Sequence, residues 1–362
     1  MPPQIRSTIP QLYVKVNGAD LPKEAFDAIL EGVIESGLHL PDACTLRIHD
    51  EDFKWLDSDH WKEGNMITVQ AGQGRDQLFT VFEGEVTILE LDLAAMGVAT
   101  LTVRCMDKAH RLHRGKYRQT FENSKDSDIV KKIAQKNGLQ NDIDTTSSVH
   151  PWTLQNNQTD WEFMQTLAKR NGFRVYLSGK EKLCFKEVTD RADQEVELEW
   201  GKDLRSFRIR VNSTNQVSKV TVKAWDPEKK QTIIGQANMP AGVAKIGMRS
   251  DGGATGKRAF GNAEMVVVDR PVRSVSDANK VAQSICDEIG NSFIEADGLC
   301  YNHPELKPNS KVKLTNIGQR FNGKYIVTNV THTFSAAEGF STQFVISGKQ
   351  PATLLAILRG DK

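Results

Sequence analysis

FNGKYIVTNVTHTFSAAEGFSTQFVISGK, residues Phe321–Lys349, restates in outline a stretch met near the other end of the chain. Residues Phe82–Cys105 read FEGEVTILELDLAAMGVATLTVRC. Each copy opens on Phe-x-Gly, runs through a β-rich stretch, breaks at a turn of small residues and glycine, and ends in a second alternating stretch. The match continues upstream, where EGNMITVQAG (Glu63–Gly72) precedes the first copy and PNSKVKLTNIG (Pro308–Gly318) the second, so that Ile67 and Val69 correspond to Val312 and Leu314. Alternation with period two puts these apolar residues on one buried face and predicts a short antiparallel meander at each end. Two distant copies are not a solenoid, which stacks three or more repeats at a short fixed period. They predict two related β units in one chain.

The length, 362 residues, is more than one core comfortably serves and predicts two or more domains. Charge is balanced, 47 Lys and Arg against 46 Asp and Glu, which gives no bulk attraction to nucleic acid or to an anionic membrane. The N-terminus MPPQIRSTIP has no apolar signal region, and no apolar run approaches the length that spans a bilayer. The chain is therefore expected in the cytoplasm, unless it leaves as part of a larger particle. Cys44, Cys105, Cys184, Cys286 and Cys300 are scattered and odd in number, the pattern of reduced structural thiols rather than of a disulfide framework or a zinc site.

Around the first copy, IPQLYVKVNGADLP alternates Leu12, Val14 and Val16 into the turn pair Asn17-Gly18, and ACTLRIHD (Ala43–Asp50) reads as another strand. The texture then turns helical. In DSDIVKKIAQKNGL the residues Ile129, Val130, Ile133 and Ala134 share a face, Asp126 or Ser127 is placed to cap the start, and Gly138 to close the end. In TDWEFMQTLAKRNGF, Thr159 and Glu162 have capping-box spacing, and Trp161, Met164, Leu167 and Ala168 line one face. A strand pair over Phe173–Glu187 follows, then two alternating strands over Leu204–Asp226. RSDGGATGKRAFGN (Arg249–Asn262) is expected to be a flexible surface loop. VRSVSDANKVAQSICDEIGN is expected to be a helix capped by Ser276, with Val281, Ala282, Ile285 and Ile289 on one side.

The search for chemistry returns little. GGATGKR is not a phosphate loop, because Asp251 stands where the first glycine of that motif belongs and Arg258 where its Ser or Thr belongs. The acidic run HDEDFKWLDSDHW (His49–Trp61) lacks the glycine and the flanking helices of a calcium loop, and its Phe53, Trp55 and Trp61 suit a surface loop folded on a sheet edge. His110 and His113 sit three apart, but Arg111 and Arg114 between and beside them repel a cation, and HRLHRGKYR (His110–Arg118) reads as a solvated loop. No catalytic, cofactor-binding or metal-ligating residue is assigned. The two helices ending in Asn-Gly resemble LysM modules that grip peptidoglycan, which keeps a peptidoglycan-binding or peptidoglycan-cleaving tail protein as the alternative reading.

Four stretches carry a stronger resemblance. They are the opening strand with NGADLP, the strand LPDACTLRIHD, the segment WTLQNNQTDWEFMQTLAKRNGFRVYL with Gln155, Thr159, Asp160, Trp161, Phe163, Leu167, Ala168, Gly172, Phe173 and Tyr176, and the closing FVISGKQPATLLAIL. Together they resemble the phage late control gene D family, the baseplate hubs of contractile tails and the hub part of VgrG-type spike proteins. The resemblance implies an α+β, mainly β fold: a first β-barrel tube domain over 1–108, an α/β middle domain over 109–203, and a second barrel over 204–362 with an inserted loop and helix. It implies a non-enzymatic homotrimer whose six barrels adapt a six-fold inner tube to a three-fold spike. Its partners would be the spike protein, the inner tube protein, baseplate wedge components and effector cargo, with no specific nucleic acid and no membrane insertion by the chain itself. VgrG-type chains continue into a spike, whereas this sequence stops at Asp361-Lys362, so the spike is expected on a separate polypeptide or on a part missing here.

Overall fold

The computed structural model describes residues 10–38, 40–72, 78–94, 99–178, 182–187, 194–238, 240, 251–270, 272–335 and 339–346. The closing Gly348-Lys349-Gln350-Pro351 segment and residues 95–98 and 336–338, where the sequence predicts turns, lie outside them. Within them the fold is mainly β, with five α-helices: α1 (Lys23–Asp27), α2 (Asp126–Lys136), α3 (Asp160–Asn171), α4 (Gly252–Phe260) and α5 (Val275–Asn291).

Alternation decides the largest element. Leu12, Val14 and Val16 are buried on the strand Gln11–Val16, and Asn17 and Gly18 turn it back with positive φ. This strand lies near one end of an antiparallel sheet of eleven. In spatial order the sheet runs Leu204–Val211, Ile294–Tyr301, Gly339–Ile346, Asn329–Ser335, Ile29–Gly37, Ala43–His49, Ala99–Met106, Leu78–Leu93, Met66–Gly72, Gln11–Val16 and Ala19–Asp20. The first repeat copy and the last hairpin of the second thus share one sheet, joined where Asn329–Ser335 pairs with Ile29–Gly37.

The repeat is real in its buried positions and different in its breaks. Ile67, Val69, Val312 and Leu314 are all fully buried, as their correspondence predicts. In the first copy the long strand Leu78–Leu93 pairs along its first half with Met66–Gly72 and along its second with Ala99–Met106. In the second copy this strand is cut at Val327 and Thr328. Gly323–Ile326 pairs with Lys311–Thr315 in a separate three-stranded sheet, and Asn329–Ser335 pairs with Gly339–Ile346 in the large one. Ile67 stands opposite Gly84, but Val312 stands opposite Tyr325, two positions past the matching Gly323. An even slip keeps every side chain on its own face, so the core pattern survives it.

Four apolar cores form among the described residues. One lies under the first copy and includes Phe340 of the last hairpin. A second joins α2 and α3 to the strands Tyr117–Lys125, Phe173–Ser178 and Lys182–Glu187. The third lies under the second copy and takes in Val196 and Leu198 of Glu195–Glu199, and the fourth packs α5 on Lys219–Asp226 and Gln231–Ala237.

The helix signals held where they were local. α3 has its capping box, with Thr159 Oγ1 accepting from Glu162 N at 3.1 Å and Glu162 Oε2 from Thr159 N at 2.9 Å. Gly138 and Gly172 close α2 and α3 in the left-handed region at φ 68° and 69°. Three expectations fail. The cap of α2 is Lys125, with no side-chain bond, because Asp126 is drawn inside to Arg170. The cap of α5 is Ser274, whose hydroxyl accepts from Asp277 N at 3.1 Å, while Ser276 lies within the helix. Ser274→Ala is therefore expected to cost about 1 kcal/mol, and Ser276→Ala no more than ~0.5 kcal/mol; urea unfolding of the two variants checks the assignment.

The third failure is the glycine-rich stretch, which is α4 rather than a loop over its described part. Asp251 caps it, accepting from Ala254 N at 2.8 Å. Glycine usually weakens a helix by about 1 kcal/mol, but here it is what lets the helix seat. A Cβ on Gly252 would lie 2.7 Å from Phe293 Cγ, and one on Gly253 2.7 Å from Val217 O.

Candidate functional site

Three features offer themselves for function: the seam of the large sheet, a cleft beneath that seam, and a second cleft beside α3. At the seam the pairing runs from Asn329 opposite Gly37 to Ser335 opposite Glu31. Its outward face is polar, with Thr331 opposite Glu35 and Glu31 bridged to Arg47 at 3.7 Å. The sheet ends in two open edges. One is Leu204–Val211, where Arg205, Arg208 and Arg210 are exposed; the other is the Gln11–Val16 and Ala19–Asp20 end. Charges on an edge strand discourage indiscriminate strand addition and leave a selective one open.

The cleft beneath the seam is about 470 Å³ and brings together Asp42, Asp107, Lys108, Lys307 and His332. Asp107 caps the turn Lys108–His113, its carboxylate accepting from Asp42 N at 3.0 Å and from Ala109 N at 2.9 Å. Burial pushes both carboxyls above the usual range, Asp42 to about 7, and the Asp42 charge adds to the rise at Asp107. His332 is deeply buried, its Nδ1 paired with Thr342 Oγ1 at 3.0 Å, and burial lowers it to about 4. This group holds three segments in place: the loop before Ala43–His49, the start of the middle region, and the turn around Lys307.

HRLHRGKYR is exposed over Arg114–Arg118, as its charges predict, but is not a solvated loop throughout. Its first half is the turn Lys108–His113, and His110 and Arg111 reach back to the buried Glu85 at 3.1 and 2.5 Å. Burial alone would raise the Glu85 carboxyl, but these two partners hold it below its ordinary range. His113 packs on Trp161 with ring centroids 5.4 Å apart, and burial lowers it to about 4. The two histidines thus serve different contacts, and among the described residues no group of three or more His, Cys, Asp or Glu is placed to hold a metal ion.

The acidic run His49–Trp61 is a turn-rich loop, as expected. Asp50, nearly fully buried, accepts from Trp55 N and Leu56 N at 2.8 Å each, and Trp61 enters the first core. All five cysteines are buried free thiols.

The second cleft, about 220 Å³, lies between the strand Val149–Gln158, α3 and α5. Trp152 lines it and is 58% exposed, with the Arg273 guanidinium 5.6 Å from its ring. No sequence signal marks this site, because only the fold sets Trp152, Thr153 and Leu154 beside α5. Behind the cleft, Asp126 is fully enclosed and takes Arg170 through both guanidinium arms, Nε at 2.9 Å, and Asn171 Nδ2 at 2.6 Å.

The sequence model of the family described as the Alg8 N-terminal domain matches residues 7–336. No curated relative matches the chain. Among solved structures, a tail protein of prophage MuSo2 from Shewanella oneidensis is similar over 94% of this chain and 98% of its own, with TM-score 0.69 and 16% identity. A tail protein from Neisseria meningitidis is similar over 93% and 96%, with TM-score 0.65 and 13% identity. An E. coli protein described as a component of the type VI secretion system is similar over 94% and 79%, with TM-score 0.60 and 13% identity. At such identities the likeness is one of fold. No helix among the described residues is long and apolar enough to cross a membrane, which says nothing of strands.

Proposed function

The chain belongs to the Alg8 N-terminal domain family; from its fold, shared with phage tail proteins, we propose that it is a structural baseplate hub of a contractile tail or tail-like injection system. In this reading it is a non-enzymatic homotrimer. Each chain supplies two wall units, so that six units match the six-fold inner tube and three chains match the three-fold spike. The division into 1–108, 109–203 and 204–362, with barrel-like tube domains at the two ends, belongs to the same proposal, as do spike protein, inner tube protein, wedge components and effector cargo as partners. The hub would be made in the cytoplasm and act within the particle.

The observation that carries the reading is the continuous sheet that joins the first repeat copy to the last hairpin of the second through Ile29–Gly37 and Ala43–His49. A chain that holds two neighbouring wall units in one sheet halves the number of interfaces its ring must close between chains. It leaves one edge at Leu204–Val211 and an unlike edge at Gln11–Val16, which suits head-to-tail contacts around a closed ring. Light scattering after size exclusion, on the chain alone and mixed with a spike protein encoded beside it, tests the proposal. The expected result is a species at three times the 40.4 kDa of one chain in at least one sample. A monomer in both overturns it.

A further inference from the structure

Beyond the hub reading and independent of it, we propose that the cleft between the strand Val149–Gln158, α3 and α5 is a saccharide-binding site that seats one sugar ring on Trp152. Three observations carry it. Trp152 lines the cleft with more than half its surface open, and an aromatic face offers the C–H side of a pyranose a broad apolar platform. Beside it Thr153 is only 7% exposed, lines the same cleft, and its Oγ1 has no hydrogen-bond partner. A buried hydroxyl left unpaired is costly and calls for an explanation, which a ligand hydroxyl would supply.

The third observation is the kind of polar group around the rim. Asp277, Asn171, Gln158 and Arg273 line the cleft, and each ends in a planar carboxylate, amide or guanidinium group that meets neighbouring hydroxyls in pairs. Asp277 uses one carboxylate oxygen on Ser148 at 2.6 Å, and Asn171 uses its NH2 on Leu167 O and Asp126. Among the described residues, nothing pairs with the second Asp277 oxygen or the Asn171 amide oxygen. Of the cations on the wall, Arg170 serves Asp126, while Lys280 bonds the neutral Ser147 hydroxyl and Arg273 lies by the Trp152 ring. The volume, about 220 Å³, is small for a whole ligand pocket and suits one ring with the rest of the chain lying outside.

Calorimetric titration of the full chain with chitotriose and with maltotriose is the test. Binding of at least one sugar is expected, with Kd in the range of about 1 mM. Trp152→Ala should weaken it at least about tenfold, and Thr153→Val about fivefold, with circular dichroism unchanged in both. Absence of binding by either sugar at ten times that concentration overturns the proposal, as does a Trp152→Ala variant that binds like the parent. So does a parent chain that takes an extended peptide along the strand edge and neither sugar. The oligomer mass does not enter the result, so failure here and failure of the hub reading are told apart.

Discussion

Gly84→Ala is expected to destabilise the first β region by about 2–3 kcal/mol, while Gly323→Ala, the same exchange in the second copy, changes stability by less than ~1 kcal/mol. Both glycines belong to a Phe-x-Gly motif, and only one of them is crowded. A Cβ on Gly84 would press on the Met106 carbonyl, 2.6 Å from its carbon, and 2.5 Å from Phe82 Cζ. The Met106 carbonyl is backbone of the adjoining strand, so it yields only if the pairing shifts. At Gly323 the nearest atom is Tyr325 Cε2 at 3.8 Å, an ordinary contact. Urea midpoints of the two variants decide the matter; equal losses would mean that the two copies pack alike and that the cut at Val327 and Thr328 is unimportant.

Arg170→Ala is expected to cost about 3–5 kcal/mol, the largest single effect outside the hydrophobic cores. Asp126 has lost nearly all its water, and Arg170 supplies the cation and two of its hydrogen bonds. Without it, among the described residues, only Asn171 and, at 3.7 Å, His150 face the carboxylate. The cost comes from stranding a charge, so it should fall sharply when the charge goes too. Asp126→Leu with Arg170→Met is expected to recover most of the loss. A double variant as unstable as Arg170→Ala alone would show that shape, and not charge, is what the pair provides.

Legibility in the sequence followed the range of the interaction. The alternation of Leu12, Val14 and Val16, the capping box of Thr159 and Glu162, and the left-handed Gly138 and Gly172 depend on residues a few positions apart, and all were readable. The seam was not, because nothing in Ile29–Gly37 names Asn329–Ser335 as its neighbour. α4 was misread since glycine reads as a breaker until Phe293 and Val217 are seen against it. Ser274 and Ser276 compete as caps within one turn, and spacing alone does not separate them. The charges of His110 and Arg111 looked solvated because Glu85, their partner, lies 25 and 26 positions back along the chain. The second cleft failed for a related reason: its walls come from three separate stretches of chain.

The seam also sets an order of events at birth. Ile29–Gly37 leaves the ribosome roughly three hundred residues before Asn329–Ser335, which at ~5–20 residues per second is a wait of about 15–60 s. Throughout it the growing chain holds a ready strand edge with no neighbour, and its first core lacks Phe340. Translation speed and helpers that shield nascent edges therefore bear on the yield of this protein more than on that of a chain whose sheets close locally. A copy truncated before residue 329 should aggregate through that edge, even though most of its folded mass is already made.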